Sequence, residues 1–372
     1  MTASAFRLAP PALGSLTRPP HAPRMSTPTI ASPVRVAVDA MGGDHAPALA
    51  VEGAVEAARA GGDDLRVLLV GREDEVRAEL DRVGAEDGLV TVVHAPDVVE
   101  MGESASVALK KKPQSSIHVG IGAVKTGAAD GFASAGNTGA VMAAALFGLG
   151  RLPGVLRPAL PGYLPTPSGT CVLLDVGANV EVRPEHLVQF ARMGAVFGSL
   201  FLGKERPTVG LVNVGEEPGK GTDVVKEVHG LLQAAADADE IAFVGNVEGR
   251  DILRHGADVC VCDGFVGNVV LKLAESVATI LPQMVRTEIG RQQLAPEQAM
   301  LVGGVLKGML TPFNYENFGG VPLLGIDGTV VIGHGGSSAT AIRQMVLSTA
   351  DLARRGLTAR IAEALAQHGA AA

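Results

Sequence analysis

The sequence predicts an α/β fold with a mainly parallel, doubly wound sheet that is covered by helices on both faces. From residue 34 onward, runs rich in Val, Ile and Leu alternate with Ala-rich segments of helical pattern. This alternation is typical of parallel strands that are joined by right-handed helical crossovers. The composition agrees, because 372 residues with 48 Gly and 3% aromatic residues suit many tight turns between strands and helices.

The first predicted strand, at 35–39, leads into a loop and then into a helix at 48–60 that Pro47 begins. Further strands, with helices between them, are predicted at 66–70, 89–94, 131–135, 171–176, 209–214, 241–244 and 258–262, and two more near 319–326 and 329–332. The segment 334–338 then begins a last helix. This domain covers 34–350, and a C-terminal helix and tail follow at 351–372.

Residues 1–33 differ from the rest, with seven prolines, three arginines and no acidic residue. We expect a disordered extension here. An organelle transit peptide shares the arginine bias, but the prolines would interrupt its amphipathic helix. Met25 is an alternative start of the chain.

Charge and cysteine content argue against several functional classes. A net charge of −8, without a stripe of Lys and Arg, argues against a nucleic-acid binder. The three cysteines fit neither a zinc spacing nor a paired disulfide framework, which favours a reducing cytoplasm. No apolar run reaches the roughly 18 to 20 residues that span a bilayer, so no membrane-spanning segment is expected. The basic run at 110–112 is either a solvated helix end or a docking patch for an acidic carrier protein.

The segment 274–318 breaks the alternation of strands and helices. Two apolar stripes of helical spacing lie in it, and Pro282 interrupts the first. We expect a protruding amphipathic helical hairpin, and its apolar face serves either as packing or dimer surface or as contact for lipid or an acyl chain. The residues predicted for this contact are Leu281, Met284, Leu306, Met309 and Leu310.

Nearly every predicted strand ends in a cluster of Gly, Asn or Asp, and such ends meet at one edge of an open α/β sheet, where ligands bind. The loop after the first strand has the sequence DAMGGDHAP at 39–47, which suits either an anion site or a tight turn in which Asp44 caps a helix. The sequence GKGT at 219–222 lacks the spacing of a Walker A loop. No dinucleotide fingerprint follows the first strand, and no nucleophile elbow or histidine metal motif occurs, so no cofactor or metal is predicted.

Glycines, amides, a few acids and one lysine suit a reaction whose nucleophile and leaving group are already reactive. Inorganic phosphate and a thioester are such a pair, because phosphate needs N–H groups and a cation, while a thiolate leaves with little acid assistance. Catalysis would then depend on holding two substrates in line, without a covalent enzyme intermediate.

The ordered motifs resemble a known family, the acyl-carrier-protein:phosphate acyltransferases of bacterial phospholipid synthesis, called PlsX. The matching blocks are VAVDAMGGDHAP at 36–47, SAGNTG at 134–139, DVGAN at 175–179, GEEPGKG at 215–221, GNVEGRD at 245–251, DVCVCDGFVGN at 258–268 and GGVPLLG at 319–325. The likeness covers about 34–350, and one extra Gly in HGGSS at 334–338 departs from the family pattern.

This resemblance implies a three-layer α/β/α fold and reversible transfer of a fatty acyl group from acyl-acyl-carrier protein to phosphate. The acyl phosphate formed would serve a membrane glycerol-3-phosphate acyltransferase. The resemblance also implies a homodimer and a cytoplasmic protein that associates peripherally with the membrane.

Candidate roles follow for residues at the strand ends. The candidate catalytic residues are Lys220, Asp263, Asn268 and Asn246, and the candidate phosphate- or substrate-binding residues are Gly42, Gly43, Asp44, His45, Asn137, Thr138, Asn179 and Arg250. Lys220 would reach phosphate or the thioester oxygen, and Asp263 would orient either phosphate or Lys220, or else cap a helix. Each amide would donate to an oxyanion or close a turn, and Arg250 would bind phosphate or pair with Asp251.

Three other functions remain open at this point. The first is a phosphate acyltransferase that uses coenzyme A, and the second is a non-catalytic scaffold recruited to the membrane through 274–318. The third, a decarboxylating nicotinamide dehydrogenase, lacks its fingerprint.

Overall fold

The computed structural model describes residues 33–367, apart from 314, 315 and 317. The described residues exclude 1–32 of the predicted extension at 1–33 and 368–372 of the predicted tail. The first half of the described chain contains β1 (Val34–Asp39), α1 (Ala48–Gly61), β2 (Leu65–Gly71), α2 (Glu73–Arg82), β3 (Val90–His94), α3 (Ala105–Lys111), α4 (Ser116–Lys125), β4 (Gly131–Ser134), α5 (Thr138–Gly148), β5 (Pro161–Thr166), β6 (Gly169–Leu174) and α6 (Pro184–Leu202).

The second half contains β7 (Thr208–Asn213), α7 (Asp223–Asp237), β8 (Ala242–Glu248), α8 (Gly249–Ile252), β9 (Val259–Val261), α9 (Gly264–Arg291), α10 (Pro296–Leu310), β10 (Val321–Pro322), β11 (Thr329–Ile332), α11 (Ala339–Arg354) and α12 (Leu357–Gln367). Short 3₁₀ turns lie at Gly62–Asp64 and Thr311–Phe313.

The strands of the described residues form two sheets. The first has the order β10-β11-β4-β1-β2-β3, and the second has the order β5-β6-β9-β7-β8. Each is parallel except at one edge, where β10 runs antiparallel to β11 and β5 runs antiparallel to β6. The predicted α/β class is confirmed, with helices flanking sheets that are mainly parallel.

Burial on both faces explains why the parallel strands read as nearly continuous apolar runs. Val34, Val36 and Val38 of β1 are fully buried, and β1 pairs with β2 and β4 in the centre of the first sheet. One apolar cluster joins these residues to Phe190 of α6 and Leu174 of β6 in the second sheet. A shared core therefore connects the two sheets.

Because neighbouring parallel strands point the same way, their carboxyl ends lie at one edge of each sheet. We call the segments 40–47, 135–138 and 333–338, which follow β1, β4 and β11, the first edge. We call the segments 175–179, 214–222, 249–250 and 262–268, which follow β6, β7, β8 and β9, the second edge.

Three predicted features of the fold differ from the structure. Strand β5 was not predicted, because Pro161 and Pro165 read as loop residues, yet an edge strand tolerates proline. The predicted strand near 319–326 is reduced to Val321–Pro322. The predicted strand at 241–244 continues to Glu248, since Asn246 and Val247 are buried in the sheet.

The predicted interruption at Pro282 was wrong, because α9 continues through it from Gly264 to Arg291. A proline removes one backbone hydrogen bond, and a helix of 28 residues keeps the others. The expectation that no segment is long and apolar enough to span a bilayer was also wrong. Within the described residues, α9 meets that criterion by length and composition, with a mean hydropathy of 1.4.

Candidate active site

At the first edge, β1 ends in a buried carboxylate. Asp39 is 2% exposed and accepts hydrogen bonds from Ser134 Oγ at 2.7 Å and from the Met41 N–H at 3.1 Å. Burial raises the pKa of the Asp39 carboxyl, and hydrogen bonds from Ser116 and Ser134 oppose that rise. The carboxylate ties β1 to β4 directly below the loop that follows.

Gly42 is required by close packing against this carboxylate. A Cβ atom at Gly42 would lie 2.4 Å from Asp39 Oδ2 and 2.8 Å from the Gly136 backbone nitrogen. Gly43 has a φ of +113°, a conformation that only glycine adopts readily. The backbone of this loop can therefore approach a bound anion without obstruction by side chains.

The predicted residues of this loop meet the segment 334–338. The Asp44 N–H donates to the Gly335 carbonyl at 2.8 Å, and both Asp44 and His45 are exposed. Gly42, Gly43 and His45 line a small crevice with Gly335 and Ser337. The extra glycine of HGGSS is thus part of the first edge.

Asn137 has a structural role at the beginning of α5. Its Oδ1 accepts from the Ala140 N–H at 3.0 Å, and its Nδ2 donates to the carbonyls of Met101 at 2.9 Å and Glu103 at 2.8 Å. These bonds cap α5 and hold the loop 100–103 beside the first edge. The neighbouring Thr138 is exposed in the first turn of α5.

The second edge also has a buried carboxylate at the end of a strand. Asp175 follows β6, is fully buried, and accepts from the N–H groups of Leu160 at 2.9 Å and Asn179 at 2.6 Å. Burial raises the pKa of this carboxyl, which these hydrogen bonds oppose. Asn179 Nδ2 donates to Asp175 at 3.1 Å and to the Pro158 carbonyl at 2.7 Å, so this amide holds the loop 175–179.

Asp263 caps the beginning of α9. Its Oδ1 accepts from the Val266 N–H at 2.9 Å, which is the structural alternative for this residue. Gly264 and Gly267 let the first turn of α9 pack on the loop 175–179, because a Cβ at Gly267 would lie 1.9 Å from the Asp175 carbonyl oxygen. Asn268 is exposed in the same turn.

The loop that carries Lys220 is held by two asparagines. Asn213 Nδ2 donates to the Lys220 carbonyl at 3.1 Å, and Asn246 Nδ2 donates to the Glu217 carbonyl at 2.8 Å. Asn246 Oδ1 is buried without a hydrogen-bond partner among the described residues. The side chain of Lys220 is exposed, and none of the ion pairs formed within the described part of the chain involves it.

Arg250, in contrast, is surrounded by acids. Its guanidinium lies 3.0 Å from Glu248, 3.5 Å from Glu216 and 3.7 Å from Asp251. Of the two alternatives for Arg250, the structure contains the pairing with Asp251. Lys220 is therefore the cation of the second edge that is more accessible to an anion.

One apolar cluster connects the two edges. Val176 and Ala178, in the loop of Asn179, pack against the apolar cluster that contains Ala140 and Val141 at the beginning of α5. The structure thus places the predicted residues in two groups. Those at the first edge are Gly42, Gly43, Asp44 and His45, with Asn137 and Thr138 beside them, and those at the second edge are Asn179, Lys220, Asn246, Arg250, Asp263 and Asn268.

The buried acids Asp39 and Asp175 are not among the predicted site residues, although each directly follows an apolar strand. Within the described residues, no group of three or more His, Cys, Asp or Glu side chains is placed to hold a metal ion.

The hairpin of α9 and α10 leaves large apolar side chains exposed. Leu281 is 39% exposed, Met284 60% and Met309 67%, while Leu306 and Leu310 are half-buried. Gly264 and Gly267 are the buried residues of α9, and α10 has none in the described chain. Val270, Leu271 and Ala274 of α9 still pack against the apolar cluster of the second sheet, so the hairpin protrudes from the body of the protein beyond about residue 274.

Comparison with known proteins gives consistent matches over nearly all of the chain. A sequence model of the family described as "Fatty acid synthesis protein" matches residues 34–360. The chain is similar to the "Phosphate acyltransferase" of Salinibacter ruber, at 49% identity over 331 residues, which cover 89% of this chain and 97% of the relative. It is also similar to the "Phosphate acyltransferase" of Chlorobaculum parvum, at 45% identity over 335 residues, which cover 89% of this chain and 98% of the relative.

Solved structures share the fold at low sequence identity. A phosphotransacetylase from Streptococcus pyogenes aligns with a TM-score of 0.59 and 19% identity, over 86% of this chain and 94% of that chain. The EutD phosphotransacetylase from Staphylococcus aureus aligns with a TM-score of 0.56 and 17% identity, with the same coverage of 86% and 94%.

Proposed function

This chain belongs to the family described as fatty acid synthesis protein, and we propose that it transfers a fatty acyl group from acyl-acyl-carrier protein to inorganic phosphate. The chain is an acyltransferase, since curated relatives at 49% and 45% identity are phosphate acyltransferases. One observation supports the site most strongly. Two glycine-rich strand ends are connected by one apolar cluster, and the second presents Lys220 outside any ion pair of the described chain.

The proposed reaction is a direct substitution at the thioester carbonyl. A phosphate oxygen forms a bond to the carbonyl carbon, the carbon–sulfur bond breaks, and the sulfur leaves with the electron pair as a thiolate. The products are acyl phosphate and free carrier protein, and the reverse reaction uses the same groups. No covalent enzyme intermediate is needed, because the protein supplies position and charge stabilisation.

The roles of the residues follow from their geometry. The exposed ammonium of Lys220 would neutralise phosphate or the developing oxyanion, and the backbone N–H groups of Gly42 and Gly43 would donate to phosphate oxygens. Asn137, Asn179 and Asn246 donate to backbone carbonyls of the surrounding loops, so we assign them positioning roles. Asn268, which is exposed beside the loop 175–179, is the amide most available to a substrate.

Asp44 and His45 complete the first edge. Both are exposed beside the crevice that Gly42 and Gly43 line, where His45 can contact phosphate. Asp263 and Arg250 would act on the second edge mainly through the loops that they fix, because one caps α9 and the other is paired with acids.

A coenzyme A thioester is the alternative donor. The phosphotransacetylases that align with this chain share its fold at 17% and 19% identity, which does not decide between the two donors. The two donors carry the same phosphopantetheine thioester arm, which is attached to a protein in one donor and to a nucleotide in the other. A non-catalytic scaffold would bind lipid or a partner without forming acyl phosphate.

We further propose that the exposed hairpin of α9 and α10 contacts a second copy of the chain and the membrane surface. Large apolar side chains are exposed along both of its helices, and contiguous apolar surface of this kind is typical of interaction sites. Peripheral attachment from the cytoplasm would bring acyl phosphate to a membrane glycerol-3-phosphate acyltransferase. The expected partners are therefore acyl-acyl-carrier protein, phosphate, a second subunit and lipid.

The function is tested by incubating the purified full chain with phosphate and either acyl-acyl-carrier protein or acyl-coenzyme A, with hydroxylamine to trap acyl phosphate. Hydroxamate with the carrier-protein donor supports the proposal. Hydroxamate with coenzyme A alone would establish the alternative donor, and none with either donor would contradict phosphate acyl transfer.

A further inference from the structure

A cavity of about 580 Å³ lies outside the two edges. Its wall comes from the end of α5, the loop 149–160 that joins α5 to β5, and the beginning of α6. Its volume falls within the range of roughly 300–1,000 Å³ that is typical of small-molecule sites.

Three guanidinium groups line this cavity. Arg151 is fixed by a hydrogen bond from its Nη1 to the Leu156 carbonyl. Arg183 has Glu185 as its nearest carboxylate, at 3.9 Å, which is too long for a hydrogen bond. Arg157 is exposed and occurs in none of the ion pairs formed within the described chain. Among the described residues, Glu185 is thus the one carboxylate within 4 Å of these three guanidinium groups, so positive charge predominates in the cavity.

His186 lies in the wall of the cavity, close to the same positive charges. It is 4% exposed, and its Nδ1 accepts from the Arg183 N–H at 3.1 Å. Burial lowers the pKa of His186, the charges of Arg183 and Arg157 lower it further, and the charge of Glu185 opposes them. The positive end of α6, which begins at Pro184, adds to this field.

The cavity adjoins the second edge. Pro158 lines it, and the carbonyl of Pro158 accepts from Asn179 Nδ2 at 2.7 Å. Apolar surface from Leu146, Leu156 and Phe147 lies beside the arginines, and Phe147 is 76% exposed. A ligand with a phosphate at one end and an uncharged, partly apolar chain would match this lining.

We propose that the cavity binds the phosphate of the pantetheine arm of the acyl donor, while the thioester end of that arm extends past Asn179 to the second edge. This proposal rests on the proposed function, because acyl-carrier-protein thioesters carry a phosphopantetheine arm. Arginine suits the role, since its planar fork donates two parallel hydrogen bonds to a phosphate. Free inorganic phosphate has the same chemistry, so the experiment must separate the two sources.

The test measures binding to the full chain by calorimetry with three ligands: 4′-phosphopantetheine, pantetheine and inorganic phosphate. The variant is Arg157→Gln/Arg183→Gln, which spares Arg151 because its bond to Leu156 supports the loop. The matched control is Arg66→Gln/Arg77→Gln, which removes the same charge from exposed positions on β2 and α2. Thermal unfolding confirms that both variants are folded.

We expect the wild-type chain to bind 4′-phosphopantetheine roughly 10- to 100-fold more tightly than pantetheine. The cavity variant should lose this preference, and the control should keep it. Equal binding of both ligands by the wild type would overturn the proposal, and so would a preference that survives in the cavity variant. If the cavity variant binds inorganic phosphate more weakly but keeps its preference for 4′-phosphopantetheine, the cavity belongs to the phosphate substrate. That result would also overturn the proposal.

The same preparations separate this inference from the proposed function. If no hydroxamate forms but the preference for 4′-phosphopantetheine depends on the arginines, the reaction is wrong and the cavity assignment stands. If hydroxamate forms and the preference does not depend on the arginines, the cavity assignment is wrong and the proposed reaction stands.

Discussion

Replacing Gly42 by Ala tests whether close packing after β1 holds the first edge in its working geometry. The new Cβ would lie 2.4 Å from Asp39 Oδ2, about 0.9 Å short of the roughly 3.3 Å at which carbon and oxygen normally approach. Rotation of the carboxylate gives little relief, because Asp39 is 2% exposed and accepts from Ser134 and Met41. The Gly136 nitrogen, 2.8 Å from the same Cβ, blocks movement on the other side.

The cost of Gly42→Ala is the sum of two effects. Overpacking costs about 1–3 kcal/mol, and a disturbed hydrogen bond to the buried carboxylate costs about 1–3 kcal/mol more. We therefore expect the free energy of unfolding in urea to fall by about 2–6 kcal/mol. Turnover should fall at least about 100-fold, because a displacement of this size misaligns bound phosphate.

Gly230→Ala is the matched control for this prediction. Gly230 lies within α7, and a Cβ there would meet no atom within 4 Å. Its replacement should be neutral or stabilise the chain by up to about 1 kcal/mol. Wild-type stability and turnover in Gly42→Ala would refute the reasoning about the first edge.

Three further predictions concern other parts of the molecule. Lys220→Ala should lower kcat/KM for acyl phosphate formation by about 100-fold or more, without changing the unfolding midpoint. Leu301→Glu/Met309→Glu should reduce cosedimentation with liposomes while acyl transfer in solution persists, because both side chains are exposed on α10, at 70% and 67%. Asp258→Asn should destabilise the protein at pH 7 by roughly 1–2 kcal/mol, since hydrogen bonds from Lys204 and Thr208 outweigh burial and lower the pKa of Asp258.

Each of these predictions has its own control. Lys226→Ala removes a lysine of α7 that pairs with Asp223, and it should leave turnover unchanged. Equal loss of turnover in both lysine variants would remove Lys220 from the mechanism. Gln283→Glu/Gln298→Glu adds the same charge to polar positions of the hairpin, and equal loss of liposome binding there would indicate charge repulsion rather than lost apolar contact.

The control for Asp258 is the pH dependence itself. A carboxyl whose pKa is lower in the folded state contributes stability above its unfolded pKa, which is about 3.9. This contribution is lost as pH falls through the lower folded pKa, so wild type and Asp258→Asn should converge under acid. A stability difference that stays constant below pH 4 would contradict this origin.

The sequence alone predicts the parts of this fold that depend on local patterns. The apolar run of β1, the glycines after it and Pro47 specify a strand, a loop and a helix, and the structure contains them in that order. Hydrophobic patterns do not specify which strands pair, so the division into two sheets could not be predicted. Strand β5 was hidden by Pro161 and Pro165, whose acceptance depends on the edge position of β5.

The candidate site is predictable to a similar extent. Glycine and asparagine clusters indicate strand ends, but they do not reveal that Asn137 and Asn246 use their amide donors on neighbouring loops. The arginines of the cavity belong to no motif, because Arg151 and Arg157 of the loop 149–160 meet Arg183 only through the packing of that loop on the beginning of α6. Their convergence is a property of the tertiary structure.

The central claim is that phosphate attacks an acyl-carrier-protein thioester directly at these strand ends. The most direct test incubates the full chain with the thioester, with and without phosphate. It measures the release of the carrier thiol and, by ³¹P NMR, the formation of acyl phosphate. We predict equal amounts of thiol and acyl phosphate when phosphate is present, and no burst of thiol when it is absent. Thiol release without phosphate, or thiol release with phosphate but without acyl phosphate, would contradict the claim.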